Sequence, residues 1–371
     1  MSRADAPILR YVPGGDAEAL SRRLGGRRVV KLASNENPLG PPAGARAAVV
    51  DSCERAHLYP EPTAATLRQR LAERHGLSPD EVLVCAGGTD AIQLAATLTA
   101  VDHPGATAIA PLRSFLAYRV AASQVGLRAV DVPLVDARCD LAATLTAVQD
   151  PAVRLLYLAN PNNPTGTSVD PKMLGHFLAR VPERVLVVLD EAYIEYLAPE
   201  RRVDAAALVR RHANLVVLRT FSKIYALAGM RVGYLLGAAA TIARLGRFVM
   251  PFRVGAPAQR AALAALEDEL FVARSHLHNR RQRALLTRGL LALGLRVTVS
   301  DANFVLVHLR RPAAPVAAAL CERGVMVRTL EPYAMDDALR ISVGLAEDNR
   351  ALLEALAEVL GEAERDAAAA C

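Results

Sequence analysis

Lys223 is the residue of this sequence best suited to react through its side chain. It lies in the stretch LRTFSKIYALAGMRVGY, residues 218–234, between Ser222 and an apolar run. A lysine that is buried among apolar residues loses the solvation of its charge, so its pKa falls and the neutral amine becomes available. We therefore expect Lys223 to be a nucleophilic amine that bonds to a carbonyl group.

Polar residues follow four apolar segments of the chain at the point where each segment ends. Each set alone has an ordinary explanation as a turn, a helix cap or a surface lysine. Because ligands of open α/β sheets bind outside the carboxyl ends of the strands, their joint placement predicts one site. In chain order they are Gly87, Gly88 and Thr89; Asn160, Asn162 and Asn163; Asp190, Glu191 and Tyr193; and Thr220, Ser222 and Lys223.

The first and last of these sets suit a phosphate group. Gly88 and Thr89 open a predicted helix, where free backbone N–H groups bind anions. The hydroxyls of Thr220 and Ser222 and the guanidinium of Arg231 can complete an anion site. These residues predict a ligand that carries a phosphate.

The remaining sets suit an aromatic ring that carries an aldehyde. The carboxylate of Asp190 can hold a protonated ring nitrogen, and Asn163 and Tyr193 can donate to a phenolate oxygen. Lys223 can form a Schiff base with an aldehyde. A phosphate, a pyridinium nitrogen, a phenolate and an aldehyde together describe pyridoxal 5′-phosphate (PLP), which acts as an electron sink.

The pattern of apolar segments predicts an α/β fold. Continuous apolar runs alternate with helical segments up to about residue 255, which indicates a buried, mostly parallel sheet with helices on both faces. A long helical stretch over 255–294 is followed by shorter strands and a final helix, which indicates a smaller α/β unit. We expect an arm over 1–40 that is part of the small domain, a large PLP-binding domain over 41–265 and a small domain over 266–371.

Composition and charge exclude several other classes. The chain has 371 residues, of which 52% are hydrophobic, and a net charge of +6 without a run of basic residues. It therefore lacks the basic tail typical of nucleic-acid binding. We expect no signal peptide, no membrane span and no metal site. Five widely spaced cysteines indicate free thiols, and we expect a cytoplasmic protein.

The motifs together resemble those of fold-type I PLP-dependent aminotransferases of class I and II, and most of all the histidinol-phosphate aminotransferase branch. They span nearly the whole chain in the order that this family shows. The resemblance implies a large domain with a mostly parallel seven-stranded sheet and a smaller α/β domain. The motifs are YVPG (11–14), KLASNENPLGP (31–41), YPEP (59–62), NPNNPTG (160–166), DEAYIEY (190–196), RTFSKIYALAGMRVGY (219–234) and LRISVG (339–344).

The resemblance also implies how the cofactor is held. Lys223 would carry the PLP and move the proton of the substrate Cα, with Asp190 and Tyr193 as its catalytic partners. Phe115 would stack on the ring. Tyr59 would reach the phosphate from the neighbouring subunit, which implies a homodimer with shared active sites. The implied cofactor-binding residues are Tyr59, Gly88, Thr89, Phe115, Asn163, Asp190, Tyr193, Thr220, Ser222, Lys223 and Arg231.

For the substrate, the resemblance implies four residues. Arg340 would bind the carboxylate of the amino donor or the phosphate of a phosphorylated substrate, and Arg328 would assist it. Asn35 would bind substrate, and Tyr11 would close over it from the N-terminal arm. A guanidinium suits either anion, so the same pocket can accept two different substrates.

Several activities remain open at this point. The leading hypothesis is a ping-pong transamination between glutamate and histidinol phosphate. The stretch PLRSF, 111–115, is closer to aromatic-amino-acid aminotransferases, and a specialised biosynthetic aminotransferase or a phospho-amino-acid decarboxylase is a third hypothesis. A non-catalytic regulator would not need the lysine, and a Rossmann dehydrogenase would need a GxGxxG motif that AGGTDA does not supply.

Overall fold

The computed structural model describes residues 15–369, which form an α/β structure. The strands are β1 Val30–Lys31, β2 Val82–Cys85, β3 Thr107–Pro111, β4 Arg128–Val132, β5 Leu134–Val135, β6 Arg138–Cys139, β7 Val153–Ala159, β8 Leu186–Asp190, β9 Leu215–Thr220, β10 Gly233–Gly237, β11 Arg296–Thr298, β12 Phe304–His308, β13 Val325–Met326, β14 Arg328–Leu330 and β15 Met335–Ser342. The helices are α1 Ala17–Arg23, α2 Ala43–Cys53, α3 Ala65–His75, α4 Gly88–Asp102, α5 Ala117–Gln124, α6 Leu141–Ala147, α7 Pro171–Leu178, α8 Ala205–Arg211, α9 Ala239–Gly246, α10 Ala256–Glu267, α11 Glu269–Ala292, α12 Ala313–Glu322 and α13 Ala346–Ala369.

The main sheet has seven strands in the order β2-β10-β9-β8-β7-β3-β4. Strand β10 runs antiparallel to its neighbours β2 and β9, and the other neighbouring pairs are parallel. The predicted mostly parallel seven-stranded sheet is therefore confirmed. The same arrangement brings the carboxyl ends of β2, β7, β8 and β9 to one edge.

Both faces of this sheet are buried, which explains why its strands read as continuous apolar runs. In β8, Leu189 packs into the core on one face and Val188 into the core on the other. Tyr118 of α5 belongs to the second core and Phe177 of α7 to the first, so helices cover both faces. Burial on both faces fixes the position of each strand end.

A second sheet forms in the C-terminal part of the chain, with the order β11-β12-β15-β14 and antiparallel neighbours. Leu286 of α11, Leu320 of α12 and Leu356 of α13 pack together in its core. Strand β1 pairs in parallel with β13, with Val30 opposite Val325. The N-terminal segment thus packs with the C-terminal unit, as its sequence indicates.

The helical stretch expected over 255–294 is two helices rather than one. The backbone of Asp268 leaves the helical region, with φ −94° and ψ 71°, and separates α10 from α11. The Asp268 side chain accepts a hydrogen bond of 2.9 Å from the Phe271 N–H and so caps α11. Among the described helices, none is both long and apolar enough to cross a membrane.

Candidate active site

A cavity of about 770 Å³ opens where β2, β7, β8 and β9 end. Small-molecule sites in proteins range from about 300 to about 1,000 Å³, so the cavity can hold a cofactor and a substrate. Most of the residues that the sequence predicts for the site line it. They are Asn35, Gly88, Thr89, Phe115, Asn163, Asp190, Tyr193, Thr220, Ser222, Lys223, Arg231, Arg328 and Arg340.

The Lys223 amine faces this cavity in an environment that favours its neutral form. Its Nζ donates to the backbone carbonyls of Ser34 at 3.3 Å and Asn35 at 3.2 Å. Nζ also lies 5.6 Å from the centroid of the Tyr193 ring. Burial, followed by the nearby charge of Arg340, lowers the pKa of Lys223 to about 8. The amine can therefore lose its proton near physiological pH and act as a nucleophile or a base.

Asp190 presents a buried carboxylate that is held by two donors. Tyr118 donates through its hydroxyl to Oδ2 at 2.7 Å, and the Ala192 N–H donates to Oδ1 at 3.0 Å. Burial raises the pKa of Asp190, while these two donors and the charge of Lys223 oppose that shift. A buried carboxylate with this support can pair with a cationic group of a ligand.

Tyr118 is a site residue that the sequence reasoning missed. Its ring stacks on that of Tyr157, with centroids 4.8 Å apart and an interplanar angle of 7°, and Phe115 meets it edge-on. Because the ring is fixed in this way, its hydroxyl is aimed at Asp190. The only signal for it in the sequence is its spacing, three residues after Phe115, which places both on one side of a helical turn.

The start of α4 has the features of an anion site. Gly87 has φ +86°, and a Cβ there would come within 2.5 Å of Nη2 of Arg231, so only glycine lets the guanidinium approach the loop. Thr220 donates from Oγ1 to Ser222 Oγ at 3.0 Å, and Arg231 donates to the same Ser222 oxygen at 3.4 Å. Helix N–H groups, two hydroxyls and a guanidinium thus lie around one end of the cavity, where Gly88 begins the helix.

Two arginines reach the cavity from the second sheet. Arg328 of β14 and Arg340 of β15 are directly opposite each other in the antiparallel pair. Arg340 donates to Asn163 Oδ1 and to the carbonyl of Ala33, both at 2.7 Å. Asn35 donates from Nδ2 to the Tyr193 hydroxyl at 3.0 Å. Arg340 and Asn35 therefore tie the N-terminal segment and the second sheet to the residues at the strand ends.

Some residues singled out in the sequence do not line the cavity. Tyr59 is 84% exposed and stacks on Phe252, with ring centroids 4.7 Å apart. Asn160 accepts from the Val169 N–H and Asn162 accepts from Ser114, so both hold the loop in place and leave Asn163 at the cavity. The prediction for Tyr11 lies outside the described residues.

Comparison with known proteins gives consistent similarities. Residues 27–358 match the family model described as aminotransferase class I and II. The chain is 44% identical over 367 residues to histidinol-phosphate aminotransferase 2 of Ralstonia nicotianae, covering 98% of this chain and 96% of that protein. It is 43% identical over 363 residues to histidinol-phosphate aminotransferase 1 of Thiobacillus denitrificans, covering 97% and 93%.

A solved structure is also similar over most of the chain. It is histidinol-phosphate aminotransferase from Sinorhizobium meliloti in complex with pyridoxal-5′-phosphate, with a TM-score of 0.87 and 29% identity. The match covers 96% of this chain and 97% of that one. The structure of L-threonine-O-3-phosphate decarboxylase from Porphyromonas gingivalis, at 24% identity and a TM-score of 0.78, shares the fold.

Proposed function

This chain belongs to the aminotransferase class I and II family, and we propose that it exchanges amino groups between glutamate and histidinol phosphate with PLP as its cofactor. The similarity to enzymes of that name over 98% and 97% of the chain carries the choice of substrate. The pair of arginines at the cavity supports it, because guanidinium groups bind both carboxylates and phosphates.

The residues at the cavity fit PLP by their chemistry. Gly88, Thr89, Thr220, Ser222 and Arg231 offer donors and a cation for its phosphate. We propose that these five residues hold the phosphate end of the cofactor. The requirement for glycine at 87, where a Cβ would meet Arg231, supports this role for the loop.

The same fit holds for the ring of the cofactor. Asp190 offers a buried carboxylate for the ring nitrogen, Asn163 and Tyr193 lie at the cavity for the ring oxygen, and Phe115 offers an aromatic face. Lys223 offers an amine with a pKa of about 8. When bound, PLP supplies an aldehyde that bonds to amines and a ring that takes up electrons from Cα.

The chain's own groups would then orient the substrate and move protons. Arg340 and Arg328 bind the anionic groups of the substrate, and Asn35 positions it beside them. Lys223 would accept the proton from the Cα of the amino donor in the first half-reaction and deliver a proton to the Cα of the new amino compound in the second. Asp190 holds the proton on the ring nitrogen, because a buried carboxylate favours a cation beside it.

A panel of amino donors tests the substrate. The purified protein loaded with PLP is mixed with histidinol phosphate, phenylalanine, tyrosine or phosphoserine, and the cofactor absorbance is followed through one half-reaction. We expect histidinol phosphate to react fastest. A faster reaction with phenylalanine would favour the aromatic-amino-acid aminotransferase, and release of carbon dioxide from a phospho-amino acid would favour the decarboxylase.

Uptake of PLP by the cofactor-free protein is expected to depend on pH through Lys223. Its lowered pKa of about 8 means that the neutral, reactive amine dominates above that pH. The rate constant should rise about tenfold per pH unit below it and level off above it. Stopped-flow absorbance from about pH 6 to about pH 10 measures this, and a rate that keeps rising to the ordinary lysine pKa of about 10.4 would contradict it.

We propose that the functional unit is a homodimer in which Tyr59 reaches the PLP phosphate of the neighbouring subunit. Tyr59 stacks on Phe252, and Leu58 and Met250 lie close to them along the chain; the exposed fractions of Leu58, Tyr59, Met250 and Phe252 are 58%, 84%, 71% and 42%. We call these four residues the apolar patch. A groove of about 650 Å³ that includes Met250 lies beside it. Exposed apolar side chains that lie close together are typical of protein interfaces.

Phe252→Asp is expected to convert the dimer to a monomer, because it places a charge in the patch. Sedimentation velocity measures this, and Leu291→Asp, at another residue that is 54% exposed, is the matched control. Tyr59→Phe should keep the dimer but weaken PLP binding by about tenfold, since it removes one hydrogen bond to a charged group. Unchanged PLP affinity in Tyr59→Phe would contradict the shared site.

The division into domains and the location in the cell remain proposals. We propose the arm over 1–40, the large domain over 41–265 and the small domain over 266–371, supported by the core of the second sheet, whose buried residues come from the proposed arm and small domain. Asp190 and Lys223 would then come from the large domain and Arg340 from the small one. We also propose a cytoplasmic location, which free thiols support.

A further inference from the structure

A buried ion pair lies directly behind the active site. Arg219 donates from Nε to Glu191 Oε2 at 2.9 Å, and its Nη2 forms an ion pair with the same oxygen at 2.8 Å. Glu191 is fully buried, and the Arg219 side chain is 15% exposed. Each partner is the chain neighbour of a cavity residue, Asp190 in one case and Thr220 in the other. Since successive side chains of an extended segment point to opposite faces, the pair lies on the face away from the cavity.

The pair joins the two strand ends that carry the proposed chemistry. The Glu191 N–H donates to the carbonyl of Leu218 at 2.9 Å, so the backbone pairing of β8 with β9 continues to this point. Beyond it, β9 leads to Thr220 and then to Lys223, while β8 ends at Asp190. The side-chain pair therefore adds a second connection at the place where the two strands part.

Stability alone does not explain a charged pair at this position. Taking two ions out of water costs more than a well-packed apolar pair would, unless every polar atom finds a partner. Oε1 of Glu191 has no hydrogen-bond partner among the described residues. Burial opposes the charge of Arg219, but Glu191 raises the pKa of Arg219, so the guanidinium stays protonated. Burial raises the pKa of Glu191 and the charge of Arg219 opposes that shift, so the carboxyl depends on its partner to stay ionised. The pair is incompletely satisfied, and it lies beside a site where position and charge matter.

We propose that Glu191 and Arg219 are a positioning pair for the cofactor. They hold the ends of β8 and β9 at the spacing that Asp190 and Lys223 need, and their charges cancel at the back of the cavity. This inference rests on the proposed function, because it assigns the pair to the site that would hold PLP. It requires both charges to be present together, and loss of either one leaves the other uncompensated next to the cofactor.

Other titratable groups surround the pair and must be separated from it. Those that interact with the Arg219 charge are His75, Glu195, Arg202, Tyr225 and Tyr234. Burial raises the pKa of Glu195 to about 7 and lowers that of His75 to about 3. Glu195 therefore changes its charge within the pH range of the titration, and its contribution must be removed by a variant of its own.

The test compares the holoenzyme of the wild type with Glu191→Gln, Arg219→Met and the double variant. The absorbance of bound PLP is titrated with pH, and the Kd for PLP is measured after the cofactor is stripped. Glu191→Gln leaves a lone cation and should lower the pH midpoint of the absorbance change by about 0.5 to 1 unit. Arg219→Met removes the charge that opposes the burial of Glu191, so part of the carboxyl takes up a proton and the midpoint should rise by a smaller amount. The double variant should return towards the wild type.

The affinity for PLP and two further substitutions, Arg219→Lys and Glu195→Gln, provide additional tests of the positioning pair. Each single variant should weaken PLP binding by about tenfold, a change of about 1.4 kcal/mol. Arg219→Lys keeps the charge and should keep the midpoint near that of the wild type, which is a readout that survives if Arg219→Met does not fold. In a Glu195→Gln background the opposite shifts should persist, because they originate in the pair.

The outcomes separate this inference from the proposed function. If both single variants lose thermal stability but the absorbance midpoint stays fixed or moves in the same direction, the pair is structural only and the inference is wrong. If the wild-type protein takes up no PLP, the proposed function fails, and the inference fails with it before any variant is compared.

Discussion

Lys223→Ala is expected to lower kcat by at least about 10³-fold, because it removes the group that moves the proton of the substrate Cα. The fold should persist, since alanine fits the space of the shortened side chain and, within residues 15–369, the amine donates to two backbone carbonyls, of Ser34 and Asn35. Turnover is measured with histidinol phosphate and 2-oxoglutarate, after the donor panel has established the substrate. Partial recovery on addition of small primary amines is expected, because they can supply the missing base.

Because the chain has few lysines, a matched control for Lys223→Ala is easy to choose. The sequence has three lysines, Lys31, Lys172 and Lys223. Lys172 is exposed, and Lys172→Ala should leave both turnover and the cofactor absorbance unchanged. Borohydride reduction of the wild type, followed by peptide mapping, should place the label on Lys223 alone. Near-native turnover of Lys223→Ala without added amines would refute the assignment.

The sequence predicted the sheet and the composition of the cavity because both depend on local patterns. Continuous apolar runs give buried parallel strands, and parallel strands that are neighbours end at one edge. The residues that follow β7, β8 and β9 therefore lie close together at this edge of the sheet, and this does not depend on how the helices pack. Asn163, Asp190 and Lys223 line one cavity for this reason.

Contacts between elements that are distant in sequence could not be predicted in the same way. The hydroxyl of Tyr118 meets Asp190 across 72 residues, which depends on how α5 packs against the sheet. The pair of Glu191 and Arg219 depends on which face each side chain takes where its strand ends. The break between α10 and α11 depends on Asp268, which sequence periodicity does not distinguish from a polar residue inside a helix. In each case the missing information is three-dimensional packing.

Asp190→Asn is expected to lower kcat by about 10² to 10³-fold, which is the usual effect of losing one preorganised electrostatic contact. Asparagine has nearly the same shape: its single Oδ1 can still accept from the Ala192 N–H, and its Nδ2 can donate to the Tyr118 hydroxyl, so the site should keep its geometry. It carries no charge, however, and cannot hold a proton on the ring nitrogen of PLP. Single-turnover absorbance with the amino donor measures the loss in each half-reaction.

Tyr118→Phe is the matched control for Asp190→Asn, because it removes a donor to the carboxylate but leaves the charge. Loss of one hydrogen bond of about 1 kcal/mol predicts a decrease of about fivefold in kcat. Burial already raises the pKa of Asp190, and without the Tyr118 hydroxyl it should rise further. Activity in Tyr118→Phe should then fall at low pH, where the carboxyl group becomes protonated, and recover as pH rises. Equal losses in the two variants at every pH would show that the hydrogen bond matters and the charge does not.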